Sequence, residues 1–152
     1  LARERLKPSV AHDILRLSDA EKGENMFDGT YNDTVIDHFM SPRNAGTMPD
    51  ADAEGSFGDP DCGDYLTLYL KVTNSVIREI SFLVFGCAAA IASSSMTTVL
   101  AKGRTLEEAE AITEKEIADA LGGLPEHKLH CSMLGVSALR NAIEAYRKSH
   151  TA

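Results

Sequence analysis

The chain has 152 residues, room for one domain with a real core but not for two comfortable ones. Its 43% hydrophobic and 25% charged content is that of an ordinary globular protein, and a formal net charge of −8 excludes a nucleic-acid surface built on clustered Lys and Arg. Its three cysteines, Cys62, Cys87 and Cys131, are odd in number and far apart, which excludes a disulfide framework, and without a CxxC pair there is no zinc ribbon or finger.

No apolar run approaches the length of a membrane span, because Arg78 and Glu79 interrupt the longest candidates. The N-terminus lacks the apolar segment of a signal peptide, which predicts a cytoplasmic, reducing location. Residues 1–28 are polar and mixed in charge, with Pro8 and Gly23 as punctuation. Val10, Ile14, Leu15 and Leu17 could make only one or two amphipathic turns there. This stretch reads as an N-terminal extension, flexible or packed on a partner, and residues 29–152 as the domain proper.

From Tyr31 to Met40, apolar residues at Tyr31, Val35, Ile36 and Phe39 have helical spacing, and Ser41-Pro42 stops the helix. His38 on that helix reads as structural. Ala53 to Phe57 forms a short strand before an acidic, glycine-rich loop that carries Cys62-Gly63-Asp64. Tyr65 to Val72 alternates, with Leu66, Leu68 and Leu70 on one face, as a half-buried strand does. After the turn Thr73-Asn74-Ser75, the β-branched and aromatic run Val76 to Phe85 returns as its partner. The hairpin puts the Cys62 loop and Cys87 at the same end of the sheet.

Cys87 begins a helix of small residues that runs to about Ala101, so its thiol sits where free helix N–H groups favour a thiolate. Ser93, Ser94 and Ser95 fit close packing better than catalysis, because no His or Asp accompanies them. Short helices follow at Leu106 to Ala111 and Lys115 to Leu121. The second has Thr113 as N-cap, Glu116 in the capping-box position and Gly122-Gly123 as its stop. An exposed linker from Leu124 leads to Cys131, and a last helix runs from Ser132, a candidate cap, to about Lys148. Leu139, Ala142, Ile143 and Tyr146 mark its buried stripe. The predicted fold is α+β: a small three-stranded antiparallel sheet packed against about five helices, with metal-binding loops at one end.

Nucleotide-binding glycine patterns are absent. Three thiols on loops, two of them at helix starts, with Asp64 and His130 beside them, suggest a thiophilic metal site for zinc, copper(I) or an iron–sulfur unit. Spacing does not choose among these, and a cysteine nucleophile with His130 as base competes with all of them.

Cys62-Gly63-Asp64, Phe85-Gly86-Cys87 followed by Ala90-Ile91-Ala92-Ser93-Ser94-Ser95, and Lys128-Leu129-His130-Cys131-Ser132 resemble the three cysteine motifs of the IscU/NifU N-terminal family. Tyr31, Asp37-His38-Phe39 and Pro42-Arg43-Asn44-x-Gly46 are similar to that family's opening, so the likeness spans Tyr31 to Arg147. The resemblance implies a scaffold without turnover of its own. On it a [2Fe–2S] cluster would be assembled from iron and desulfurase-derived sulfur, then transferred to apo-proteins. It implies Cys62, Cys87 and Cys131 as cluster ligands, with Asp64, or alternatively His130, as a weaker fourth ligand that keeps the cluster labile. It also implies Cys131 as persulfide acceptor, assisted by Lys128. The implied partners are a cysteine desulfurase and apo iron–sulfur acceptors, with a ferredoxin, a frataxin-like protein, Hsp70/J-type chaperones and a cluster-dependent homodimer as further expectations.

Departures are visible. Asp61 is a rival carboxylate, Ala88-Ala89 replaces a Gly-Ser type pair, and Glu126-His127 interrupts the segment that resembles the family's Leu-Pro-Pro-Val-Lys chaperone motif. The chain ends after the last helix, without the further domains of full-length NifU. It also lacks the insertion between the second and third motifs that marks the SufU branch. An IscU-like scaffold is therefore the first reading, and a zinc-bound, SufU-like sulfur acceptor for a desulfurase is the alternative. Zinc also suits the apo-form of the scaffold.

Overall fold

The computed structural model describes residues 29, 31–59 and 64–150. The expectations for residues 1–28, Asp61 and Cys62 lie outside them. Helix α1 (Asp33–Met40) opens the described fold, capped by Asn32, whose side chain accepts from the Val35 amide at 2.9 Å. Three strands follow: β1 (Ala53–Asp59), β2 (Asp64–Thr73) and β3 (Val76–Phe85). They form one antiparallel sheet in the order β1-β2-β3.

The register explains why the alternation of β2 is so regular. Leu66, Leu68 and Leu70 lie opposite Val84, Phe82 and Ile80 of β3, so these large apolar side chains share one face, while Leu83 lies on the other opposite Thr67. The three β2 leucines are fully buried. Asn74 and Ser75 turn the chain between β2 and β3 with φ of 52° and 63°, the left-handed pair that matches the twist of a two-residue hairpin. The β2–β3 register shifts between Lys71 and Val72, and on the opposite, β1 side of the strand the Asp52 carboxylate accepts from the Val72 amide at 2.8 Å. The outer edge of β3 is protected: Phe82 accepts from the Gly46 amide at 2.8 Å and donates to the Asn44 carbonyl at 3.1 Å.

Helices cover the leucine face. Helix α2 (Ala88–Ala101) packs on β3, and the long α5 (Cys131–His150) packs on β1 and β2. Between them lie α3 (Leu106–Glu110), α4 (Glu114–Ala120) and a single tight turn, Glu126–Lys128. The fold is the predicted one, with one sheet and five helices among the described residues.

Helices α2 and α5 cross closely because their facing residues are small. A Cβ added at Gly135 would meet Thr97 Oγ1 and lie 3.0 Å from Thr97 Cβ, so the crossing tolerates no side chain there. The serines of α2 are fully buried, and their hydroxyls turn back on the helix. Ser93 donates to the Ala89 carbonyl and Ser94 to the Ala90 carbonyl, each at 2.7 Å. Ser95 is used differently: its hydroxyl accepts from the Arg43 amide at 2.9 Å and pairs with His38 Nδ1 at 2.8 Å. His38 is thus a buried link between α1 and α2, the structural role expected of it.

Local details depart from the sequence reading. A reciprocal capping box stands at Thr105 and Glu108, where none was expected. Thr113 does cap α4 by accepting from the Glu116 amide, but the Glu116 carboxylate binds Arg104 at 3.0 Å and does not reach back. Gly122 and Gly123, with φ of 82° and 105°, end α4 as expected. Ser132 is no cap. It lies inside α5, and its hydroxyl donates to the Leu129 carbonyl at 2.7 Å. Cys131 is itself the first helical residue, and part of the supposed linker is the turn Glu126–Lys128.

Candidate metal centre

Four elements end at one corner of the molecule. Strand β2 begins there with Asp64, β3 ends there with Phe85, α2 starts after Cys87, and α5 starts at Cys131. The hairpin register fixes the first pair, since Tyr65 faces Phe85 and the chain leaves β3 directly into Gly86-Cys87. Gly86 must be small. A Cβ there would lie 2.8 Å from the Asp64 carboxylate and 2.8 Å from Ala90 Cβ, so a larger residue would push Asp64 out of place.

Cys87 is the N-cap of α2 in an extended conformation, yet its side chain makes no capping bond. Its sulfur therefore remains available beside the unpaired helix N–H groups. Cys131 is fully buried at the first turn of α5. Ser93 Oγ shares its one hydrogen between the Ala89 carbonyl at 2.7 Å and, more weakly, the Cys131 carbonyl at 3.1 Å, so the start of α5 sits against the second turn of α2.

These restraints bring donors together. Asp64, His130 and Cys131 each present one ligand atom, all within 4.8 Å of one another. Cys131 Sγ lies 3.8 Å from His130 Nε2 and 3.8 Å from Cys87 Sγ. So the structure places Asp64, Cys87, His130 and Cys131 at one corner, while Cys62 falls outside the described residues. Lys128 also faces this corner. Its amine is held above the usual lysine range, chiefly by Cys87, with Tyr31 and Cys131 adding to the effect.

The electrostatics are those of a site short of positive charge. The Cys131 thiol is pushed up to about 12, first by burial, then by Cys87 and Asp64, with Lys128 relieving it in part. A cation arriving among these groups would replace that proton and relieve the crowding. Soft sulfur, imidazole and carboxylate atoms within 4.8 Å of one another suit zinc or iron, and suit a magnesium or calcium site poorly.

Two contributors were not singled out by sequence reasoning as site residues. Gly86 and Ser93 both lie within quoted motifs, but their tasks, making room for Asp64 and tying down Cys131, follow only from which atoms meet. Exposed apolar side chains rim the corner: Phe85 at 71% exposure, Leu129 at 43% and Met133 at 41%.

The sequence profile of the family described as "NifU-like N terminal domain" matches residues 30–152. The chain belongs to that family. Among its relatives, a protein of Archaeoglobus fulgidus named iron-sulfur cluster assembly scaffold protein IscU 1 is 56% identical over 116 residues, covering 76% of each chain. The Azotobacter vinelandii protein named iron-sulfur cluster assembly scaffold protein IscU is 45% identical over 121 residues, covering 77% of this chain and 94% of that one. Among solved structures, the N-terminal part of a NifU-like protein from Brucella abortus superposes with a TM-score of 0.62 at 21% identity, over 82% of this chain and 99% of the other. That likeness speaks for the fold. No helix among the described residues is long and apolar enough to cross a membrane.

Proposed function

We propose that this chain is a scaffold on which a [2Fe–2S] cluster is assembled from iron and desulfurase-derived sulfur and then handed to apo-proteins. The observation that carries the reading is the corner itself: Asp64, His130 and Cys131 present ligand atoms within 4.8 Å, with Cys87 Sγ 3.8 Å from Cys131 Sγ. The names of the relatives agree with it.

In this reading Cys62, Cys87 and Cys131 supply thiolates to the cluster, and Asp64 supplies the weaker fourth ligand, with His130 as the alternative. Three sulfur ligands hold iron firmly, while a single oxygen or nitrogen ligand leaves one side of the cluster exchangeable. That mixture suits cargo that must leave. The chain turns over no substrate of its own. Cys131 takes up sulfur as a persulfide, and Lys128 offsets the negative charge that gathers beside Cys87.

Partners follow from the task. A cysteine desulfurase supplies sulfur and apo iron–sulfur proteins take the product, and the apolar rim of Phe85, Leu129 and Met133 offers them a surface around the cluster. A ferredoxin, a frataxin-like protein, Hsp70/J-type chaperones and a cluster-dependent homodimer extend the same reading. Residues 1–28 act as an extension to the domain at 29–152, and the cytoplasm is the proposed compartment.

Anaerobic reconstitution with ferrous iron, cysteine and a desulfurase tests the proposal by visible absorption and by iron and sulfide analysis. The expected result is a [2Fe–2S] spectrum that disappears on addition of an apo-ferredoxin. A colourless protein that retains one zinc per chain and accelerates the desulfurase would favour the zinc-bound sulfur acceptor instead.

A further inference from the structure

Cys87 Sγ and Cys131 Sγ lie 3.8 Å apart, close to van der Waals contact. A disulfide is about 2.05 Å long, so joining the two sulfurs takes a closure of less than about 2 Å. The fold sets this spacing. Cys87 caps α2, Cys131 opens α5, and the Ser93 hydroxyl bonded to the Cys131 carbonyl holds the two helix starts together. Cys87 carries no capping bond, so its side chain can turn toward its neighbour without breaking one.

We propose that Cys87 is the resolving thiol for a sulfur carried on Cys131: its attack on Cys131 Sγ frees the outer sulfur as sulfide and leaves a Cys87–Cys131 disulfide. The inference rests on the reading above that Cys131 carries sulfur as a persulfide. Cys87 gives up its proton to solvent, and its sulfur forms a bond to Cys131 Sγ. The bond between Cys131 Sγ and the outer sulfur breaks, and the electron pair departs with that sulfur as hydrosulfide. The Cys87 sulfur is oxidised from the thiol to the disulfide level, the Cys131 sulfur keeps the level it had in the persulfide, and the outer sulfur is reduced to sulfide. The step needs no outside oxidant or reductant. A low-molecular-weight thiol then returns two electrons to reopen the pair, after which both thiols can bind iron.

The site of release matters. His130 Nε2 stands 3.8 Å from Cys131 Sγ, and Asp64 belongs to the same cluster of donors. Sulfide would be set free beside the groups that hold iron, and not in bulk solvent.

The test uses the full chain carrying Cys62→Ser, so that Cys87 and Cys131 are its two thiols, with and without Cys87→Ser. Serine is a preferred N-cap, so the second change leaves the start of α2 folded. Both proteins are treated with chelator, loaded with inorganic polysulfide, desalted and followed by sulfide assay and intact mass. With Cys87 present, the expected result is a burst of sulfide and a mass two hydrogens below the dithiol. With Cys87→Ser, the chain keeps its extra sulfur and releases sulfide at least about tenfold more slowly. Equal decay in the two proteins, or movement of the extra sulfur onto Cys87 without sulfide release, overturns the inference alone. Failure of the Cys87→Ser chain to take up sulfur on Cys131 overturns the acceptor role of Cys131, and the inference with it.

Discussion

Helix α2 holds two polar regions that could hardly differ more. Along its middle, Ser93, Ser94, Thr97 and Thr98 are buried and each hydroxyl donates to a carbonyl at 2.7 Å, while Ser95 is paired with His38 and the Arg43 amide. At its N-terminal end, Cys87 meets Cys131 close to Asp64 and His130, and these groups crowd one another without neutralising one another. The first region is closed because every donor has an internal acceptor. The second is open because Cys87 and Asp64 raise the proton affinity of the Cys131 thiol, and few donors among the described residues satisfy these groups. An unpaired polar atom alone does not mark such a site. Among the described residues, Ser81 Oγ is buried without a partner, and it has no converging neighbours of this kind.

Breaking the closed region should cost stability first. Gly135→Val forces a side chain into Thr97, whose hydroxyl is already committed to the Ser93 carbonyl, and should destabilise the fold by about 3 kcal/mol. Urea titration would measure this, and a loss below about 1 kcal/mol would mean that the α2–α5 crossing yields more easily than its geometry implies.

The opposite pattern is expected at the open end. Cys87→Ser should leave the urea midpoint nearly unchanged while lowering iron retention after reconstitution by about tenfold or more, because a hydroxyl is a poor ligand for a thiophilic centre. A large fall in stability would instead make Cys87 part of the closed region.

Asp64→Ala sharpens the same contrast within the site. Removing the carboxylate should slow cluster transfer to an apo-ferredoxin severalfold, and unchanged transfer kinetics would pass the labile-ligand role to His130.

The smallest effect is a pH slope. Burial, reinforced by Arg43 and opposed by Asp37, holds His38 below the ordinary histidine value of 6.5. In the unfolded chain His38 takes up a proton near that value, while in the folded chain it resists until lower pH. Its contribution to stability is therefore complete above 6.5 and is lost as pH falls through the depressed folded value. In His38→Gln the decline in stability below pH 6.5 should be shallower, and parallel curves for the two proteins would remove His38 as a cause.

Most of the fold was legible because its signals are local. Val76 to Phe85 was read with the bounds the strand has, since β-branched and aromatic residues run unbroken between a turn and Gly86. Leu66, Leu68 and Leu70 declared the buried face of β2 by simple alternation. Capping was less readable. Thr113 and Thr105 both have a glutamate three residues on, and only the position of Arg104 decides that Glu116 is drawn into an ion pair while Glu108 reaches back to its cap. Ser132 reads as a cap from its place at the start of a helical pattern, but the helix already begins at Cys131, so Ser132 lies inside it and its hydroxyl donates to the Leu129 carbonyl.

For the candidate centre the division is similar. The sequence by itself determined the inventory: three separated thiols, two of them at helix starts, an aspartate and a histidine close to them, and a family likeness that named their task. It could do so because residue type, turn chemistry and short-range spacing are properties of the chain alone. Only the tertiary structure decided that Cys131 is buried while Cys87 is partly open, that their sulfurs approach to 3.8 Å, and that Gly86 and Ser93 hold the corner in shape. Those facts depend on the hairpin register and on how closely two helices can cross. Both are settled by packing between segments far apart in the chain, where no local pattern reaches.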